Sequence, residues 1–223
     1  MYNVDNEIKQ GIIAGMLIGL GGYAFILAKY YLNNMLIAAL CFPIGLYLIC
    51  LLGAHLYTGK IGFLFEVINK QEIKLKIVNL VFMLLGNILG AMFIGIVFRL
   101  CSTNVDLINT ANSVAKIRTL TFNDNLLYDI LSVLIKSIMC GILVYLAVYL
   151  FKKAKNNIEG AIMIWLPISL FVFCGFDHCI ADAFYITAAE EFSYSSLIYI
   201  LIAIIGNSLG AIGSNGLLNK KKD

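Results

Sequence analysis

Residues 175–182 place two acids and a histidine, Asp177, His178 and Asp182, in a stretch that is otherwise apolar. Histidine ordinarily changes its charge between about pH 5 and 8, so it can supply or take up a proton. Ionisable groups are costly inside hydrocarbon, and they usually mark a functional pathway when they occur there. We therefore expect the function of the chain to depend on His178.

A second polar site lies at Thr58, 120 positions before His178 (178 − 58), and the sequences around the two residues repeat. The Thr58 hydroxyl can both donate and accept a hydrogen bond. A string with the pattern Gly-Asn-x-Leu-Gly-Ala begins at Gly86 and recurs from Gly206, again 120 positions later (206 − 86). Strings that recur in the same order predict two related halves, at about residues 9–100 and 125–219.

Composition places these sites in a membrane protein, because 61% of the residues are hydrophobic and only 13% are charged. Such a chain has too few polar residues for an ordinary soluble surface. Crossing the hydrocarbon takes about 20 apolar residues in a helix. The sequence predicts one all-α transmembrane domain over residues 1–223 with six spans, at Gly11–Ala28, Tyr30–Ala54, Ile77–Phe98, Ile130–Phe151, Gly160–Phe176 and Phe192–Leu218.

Three spans in each half predict an inverted repeat (3+3), because the second half then enters the membrane from the opposite side. Such proteins bind substrate near the midplane, where corresponding helices are interrupted. Glycines and polar residues predict these interruptions from Gly53 to Lys60 in the second span and from Gly175 to His178 in the fifth. Irregular backbone at this depth is tolerated when it is buried in protein or lines a water-filled cavity.

The distribution of lysine and arginine predicts the orientation. If the spans alternate in direction, the cations are distributed unequally between the two sides of the membrane. One side has Lys29, Arg99, Lys116 and Arg118. The other side has Lys9, Lys60, Lys70, Lys74, Lys76, Lys152, Lys153, Lys155 and Lys220 to Lys222. The lysine-rich side is predicted to be cytoplasmic, with both termini, in a multi-pass protein of the plasma or inner membrane. The positive charge therefore indicates topology, and no nucleic acid partner is expected.

The cysteines form no Cys-x-x-Cys pair, and we expect no disulfide, metal or cofactor.

The strings at the two interruptions resemble the formate/nitrite transporter family, the pentameric channels for formate, nitrite, hydrosulfide and similar monovalent anions. The most specific of them, Gly-Phe-Asp-His-Cys-Ile-Ala at residues 175–181, is similar to the family signature G-F-E-H-S-[IV]-A. Further similar strings at residues 14–22, 42–46, 53–59, 86–91 and 206–210 extend the resemblance over nearly the whole chain. The resemblance implies an aquaporin-like fold in lipid, one pore per protomer and a homopentamer.

The resemblance also assigns residues. His178 matches the central pore histidine of the family and Thr58 its partner, while two apolar constrictions are matched by Phe42, Leu46, Leu56, Tyr57, Phe171 and Ala181. A bare anion in a dry constriction costs many kcal/mol, whereas its neutral conjugate acid pays only a few. We therefore expect a weak-acid anion to cross together with a proton, with His178 governing the coupling.

Three positions depart from the family pattern. His55 replaces an acid, which makes it a second titratable group within reach of His178. Cys140 is followed by Gly141, where the family has an asparagine, and Asn125 stands where a vestibule lysine is expected. Lys116 has a similar local context nine positions earlier (125 − 116), so the connection carries an insertion or the entrance charge is lost.

Two further charged groups allow alternative interpretations. Lys136 lies inside the fourth span, on the same helix face as Asp129. It is either a structural charge at a protomer contact or helix end, or an anion relay that replaces the missing lysine. Asp177 is interpreted as holding the broken helix rather than as a ligand, because a fixed negative charge opposes anions.

The alternative function is an aquaporin-like pore for small neutral solutes. Such pores carry Asn-Pro-Ala pairs, which this sequence lacks. An enzyme is not expected, because the sequence has no Walker motif, metal-ligand cluster or nucleophile-base pair.

Overall fold

The structure is a computed structural model that describes residues 4–66, 70–120 and 125–218. Every regular element in these ranges is a helix. Four helices are long, namely α1 (Val4–Leu32), α5 (Lys70–Cys101), α7 (Leu126–Phe151) and α10 (Tyr194–Leu218). The shorter ones are α2 (Met35–Cys41), α3 (Ile44–Leu52), α4 (Tyr57–Lys60), a 3₁₀ helix (Ile61–Glu66), α6 (Val105–Lys116), α8 (Asn157–Phe173) and α9 (Cys179–Ala188). The lysines at 220–222, used above to predict topology, lie outside the described residues.

Five helical segments of the described chain are long and apolar enough to cross a membrane: Val4–Leu32, Met35–Leu52, Gln71–Cys101, Leu126–Phe151 and Tyr194–Leu218. The fifth span of the sequence prediction corresponds to α8, which has 17 residues and is followed by a break and α9. A helix of this length falls short of the roughly 20 residues that cross hydrocarbon. The structure thus supports an all-α membrane protein with five such segments, and the sixth span stays a prediction.

Glycines bring the long helices together in two similar pairs. A Cβ atom on Gly15 of α1 would lie 2.0 Å from the backbone oxygen of Asn87 on α5. A Cβ atom on Gly141 of α7 would lie 2.2 Å from the backbone oxygen of Asn207 on α10. Small residues permit this close approach of two backbones in a membrane. The pair α1 and α5 therefore packs like the pair α7 and α10.

Both predicted interruptions are present, and each contains a glycine in the left-handed conformation. Gly53 ends α3 with φ = 68°, and Gly175 follows α8 with φ = 69°. This left-handed conformation carries a steric penalty for residues with a Cβ atom, so glycine is the residue that allows the chain to turn here. Residues 53–56 separate α3 from α4, and residues 174–178 separate α8 from α9. The first break is shorter than predicted, because residues 57–60 are already helical.

Candidate pore site

Asn87 on α5 fixes the first break by three hydrogen bonds. Its side-chain oxygen accepts from the backbone N–H of Tyr57 at 2.8 Å. Its side-chain nitrogen donates to the backbone oxygens of His55 at 2.9 Å and Gly11 at 2.8 Å. The bonds to Tyr57 and His55 satisfy backbone groups that the interrupted helix leaves without partners, which buried structure requires. The bond to Gly11 ties α5 to α1.

Asn207 on α10 fixes the second break in the same way. Its side-chain oxygen accepts from the backbone N–H of Cys179 at 3.0 Å. Its side-chain nitrogen donates to the backbone oxygens of Asp177 at 2.9 Å and Ser137 at 2.8 Å. Each break is thus held by one asparagine of a neighbouring long helix.

These hydrogen bonds correct the register of the repeat at the breaks. Tyr57 corresponds to Cys179, 122 positions later (179 − 57), rather than 120. The residue equivalent to His178 is therefore Leu56, since each immediately precedes a helix at its N-cap position. Thr58 is not the counterpart of His178 in the fold, because string matching between apolar segments does not detect a two-residue shift in register.

Thr58 and His178 are nevertheless in direct contact. The Thr58 Oγ1 and His178 Nε2 atoms lie 2.8 Å apart, and both residues are buried. His178 Nδ1 accepts a hydrogen bond from the backbone N–H of Ala181 at 3.3 Å, which caps α9. Because Nδ1 is an acceptor, the proton of the neutral ring is on Nε2, which donates to Thr58 Oγ1. The helix end and Thr58 together fix the orientation and the tautomer of the imidazole.

A narrow cavity lies beside His178, and we call it the central cavity. Its volume is about 10 Å³, and its lining consists of Ile18, Phe42, Leu46, Leu56, Val144, Ile168, Phe171 and His178. A cavity of roughly 10–15 Å³ holds one water molecule. The Phe171 ring stacks on the His178 ring with centroids 5.9 Å apart, and Phe42 meets Phe171 edge to face at 5.6 Å. Any solute that passes must therefore leave most of its water behind.

A larger cavity, the Arg118 cavity, adjoins the central one at His178, Phe42 and Phe171. Its volume is about 90 Å³. Its charged lining residues come from α1, from α9 and from the segment after α6, namely Lys29, Asp182 and Arg118. Ala181 also lines this cavity. Of the residues predicted at constrictions, Phe42, Phe171 and Ala181 therefore lie on the Arg118 side of the central cavity.

A third cavity, the Lys60 cavity, adjoins the central one at Leu46 and Leu56. Its volume is about 190 Å³, and Lys60 and Lys152 are its cations. Leu46 and Leu56, both predicted at constrictions, thus lie between the central cavity and the Lys60 cavity. The three cavities together follow a path with cations at both ends and an apolar centre.

Tyr57 was predicted at a constriction, but it is not part of the lining described for these three cavities. Its hydroxyl lies 2.8 Å from Ser208 Oγ on α10, and its ring packs with Ile61 and Leu64. Leu56, one position earlier, takes the pore-facing place. Thr58 is also absent from the linings described for these cavities, and its link to the central cavity is its hydrogen bond with His178.

In the described part of the chain, the lining of the central cavity does not include His55. Its Nδ1 atom lies 2.6 Å from Glu7 Oε2 on α1. Asp177 is buried, and its backbone oxygen accepts a hydrogen bond from the Asn207 side chain at 2.9 Å. That placement suits the interpretation that Asp177 holds the broken helix.

Three residues considered for the entrance, Asn125, Lys116 and Lys136, are not part of the lining described for the Arg118 cavity. Asn125 is exposed at the start of α7, and Lys116 is exposed in the last turn of α6. Lys136 is exposed on α7, from where its charge acts on Asp177. The cations that line the cavity are Arg118 and Lys29. Both belong to the four cations predicted for that side of the membrane, but neither was predicted to lie at the site.

Arg118 is buried and held on three sides. Its Nε atom donates to Asp182 Oδ1 at 2.6 Å, and a second nitrogen donates to the backbone oxygen of Val114. The guanidinium carbon lies 4.4 Å from the centre of the Tyr185 ring, a cation–π contact. Burial alone would lower the pKa of the guanidinium, but the Asp182 carboxylate outweighs burial and raises the pKa, so Arg118 remains positively charged.

In the ranges that the structure describes, no group of three or more His, Cys, Asp or Glu residues is arranged to hold a metal ion. The groups that the structure brings together are one histidine, its threonine, an apolar cavity and cations on both sides.

The fold and this row of cavities define a helical membrane protein with a channel fold. The structure superimposes on a solved pentameric formate channel with formate bound, with a TM-score of 0.75 and 22% identity, covering 96% of this chain and 94% of that one. This likeness concerns the fold.

The family follows from sequence comparison. Residues 2–220 match the formate/nitrite transporter family model. The chain is 31% identical to the uncharacterized transporter YrhG of Bacillus subtilis, over 95% of this chain and 86% of that protein. It is 28% identical to the formate channel BtFdhC of Bacillus thuringiensis, over 94% and 87%. The chain therefore belongs to the formate/nitrite transporter family, as its sequence strings predicted.

Proposed function

We propose that this protein passes small monovalent weak-acid anions, such as formate, nitrite or hydrosulfide, across the cell membrane. The observation that carries the proposal is the central cavity of about 10 Å³ at His178, with a cation-lined cavity on each side. Fixed cations raise the local concentration of anions at both ends. Membership of the family and its similarity to a named formate channel support this class of substrate.

Passage is coupled to protonation at His178. The central cavity strips water from the anion, and a dehydrated anion is far costlier than its neutral conjugate acid. The His178 ring carries its proton on Nε2, while its Nδ1 accepts from the N–H of Ala181. A second proton on Nδ1 would remove that hydrogen bond and place a cation at the positive end of α9. A second proton taken up from solvent is therefore held weakly, and the ring passes it to an anion beside it and returns to its neutral form.

The proposed architecture is a single transmembrane domain with an inverted repeat of three and three spans. The matching hydrogen bonds of Asn87 and Asn207 support this arrangement, with halves at about residues 9–100 and 125–219. Five copies surround a central axis, as in the pentameric formate channel of similar fold. The Lys60 cavity and both termini face the cytoplasm, following the distribution of lysine.

The test is anion flux into proteoliposomes with formate, nitrite, hydrosulfide, acetate and lactate at two pH values. We expect formate or nitrite flux well above that of empty liposomes and above swelling by water alone. Swelling by water or neutral solutes without anion flux would favour the aquaporin-like alternative. His178→Asn should abolish the pH dependence of the flux, and His55→Asn is the matched control. Unchanged flux and pH dependence in His178→Asn would exclude the role of His178.

A further inference from the structure

We propose that Arg118 captures the anion in the Arg118 cavity and that Asp182 limits the strength of this capture. The inference rests on the proposed function, since it names the group that selects and releases the transported anion. Arg118 and Asp182 line the same cavity as His178, which places them one step before the constriction.

The geometry leaves Arg118 able to bind a ligand. A guanidinium has five N–H donors in a planar fork that suits the oxygens of carboxylates and similar anions. The bonds to Asp182 Oδ1 and to the backbone oxygen of Val114 engage two of them. Tyr185 supports the guanidinium from its face and does not compete for its donors. A small anion in the cavity can therefore bind to the remaining donors without displacing Asp182.

Asp182 keeps this binding moderate. Its side chain is fully buried, and within the described chain its Oδ2 atom has no hydrogen-bond partner. A buried carboxylate beside the guanidinium offsets much of the positive potential that an anion meets. A pore must bind its ion strongly enough to admit it and weakly enough to release it. The pair satisfies both conditions, since Lys29 adds the remaining positive charge of the cavity.

The competing explanation is that the pair only attaches the segment after α6 to α9. Breaking a buried pair by removing one partner destabilises a protein by roughly 3–5 kcal/mol, so single substitutions do not separate the two roles. The double variant Arg118→Gln/Asp182→Asn does separate them. Both new side chains keep hydrogen-bonding atoms of similar shape, but neither carries a charge.

The experiment measures formate flux into proteoliposomes against formate concentration, after size-exclusion chromatography has established that each variant is folded and assembled. We expect the double variant to raise the half-saturating concentration about tenfold, the equivalent of about 1.4 kcal/mol, while the maximal flux stays similar. Arg118→Lys, which keeps the charge, should lie between the double variant and the wild type. Asp182→Asn should lower both the half-saturating concentration and the maximal flux, because the anion binds more tightly and leaves more slowly.

Lys116→Gln is the matched control, because it removes an exposed cation two positions away and should leave both quantities unchanged. An assembled double variant with the half-saturating concentration of the wild type would overturn the inference and leave the proposed function intact. Absence of flux in the wild type would instead overturn the proposed function. If Asp182→Asn does not assemble, the double variant and Arg118→Lys still decide the question.

Discussion

Asn87 and Asn207 hold the two chain breaks by matching sets of three hydrogen bonds. Each accepts from the first N–H of a half-helix, at Tyr57 and at Cys179, and each donates to two backbone oxygens. The two breaks are therefore fixed by the long helices rather than by their own loops. This rigidity places His178 at the start of α9, with its Nδ1 atom committed to capping that helix.

Replacing Asn207 by leucine should destabilise the protein strongly. Leucine has a similar size but leaves the N–H of Cys179 and the backbone oxygen of Asp177 without their partner, at about 1–3 kcal/mol for each buried group. It also removes the bond that ties α10 to Ser137 of α7. We expect a markedly lower unfolding temperature in detergent. The control is Ser214→Ala, because the Ser214 hydroxyl donates only to the backbone of its own helix. Equal unfolding temperatures for the two variants would show that the asparagine bonds contribute little.

Alanine at Gly15 or Gly141 should separate a packed helix pair. The added methyl group would lie 2.0 or 2.2 Å from a backbone oxygen, a distance that requires the helices to move apart. Overpacking of this kind typically costs about 1–3 kcal/mol or more. Gly213→Ala is the matched control, because its Cβ atom meets nothing within 4 Å. Thermal unfolding of the three variants checks this, and a similar loss at Gly213 would contradict it.

Much of the fold was predictable from local sequence. Apolar runs predicted the long helices, and Gly53 and Gly175 predicted the breaks, since both signals depend on short-range chemistry. The repeated Gly-Asn string marked the helices that hold those breaks, but the hydrogen bonds from Asn87 and Asn207 to the breaks were not predicted. The register of the repeat at the breaks, which makes Leu56 the counterpart of His178, was not predictable. It depends on which backbone N–H each asparagine binds.

The Arg118 cavity was also beyond sequence reasoning. The neighbours of Lys116 resemble a family string, yet Lys116 lies on the exposed face of α6. Arg118 follows the end of that helix, where the chain turns inward to Asp182. The pairing spans 64 positions. Such a contact depends on how the segment after α6 packs on α9, and no local pattern reports it.

The Glu7 and His55 pair should tolerate exchange better than single replacement. His55→Glu restores the acid typical of the family but places it beside Glu7, where the present side-chain atoms are 2.6 Å apart. Two carboxylates at that distance repel each other, and one of them must take up a proton. We expect His55→Glu to lower the unfolding temperature at neutral pH and the exchange Glu7→His/His55→Glu to restore most of it. Failure of the exchange to recover stability would indicate that the surroundings, rather than the pair, select His55.

Phe171 should set the size limit of the pore, because it lines both the central and the Arg118 cavities and stacks on His178. Phe171→Val removes most of the ring and enlarges a space that now holds about one water molecule. We expect lactate flux to rise several-fold relative to formate flux in proteoliposomes, because the larger anion no longer meets the ring. Phe173→Val is the matched control on the same helix, since Phe173 is half exposed and faces away from the path. An unchanged ratio of lactate to formate flux in Phe171→Val would place the size filter elsewhere, at Leu46 and Leu56 on the Lys60 side.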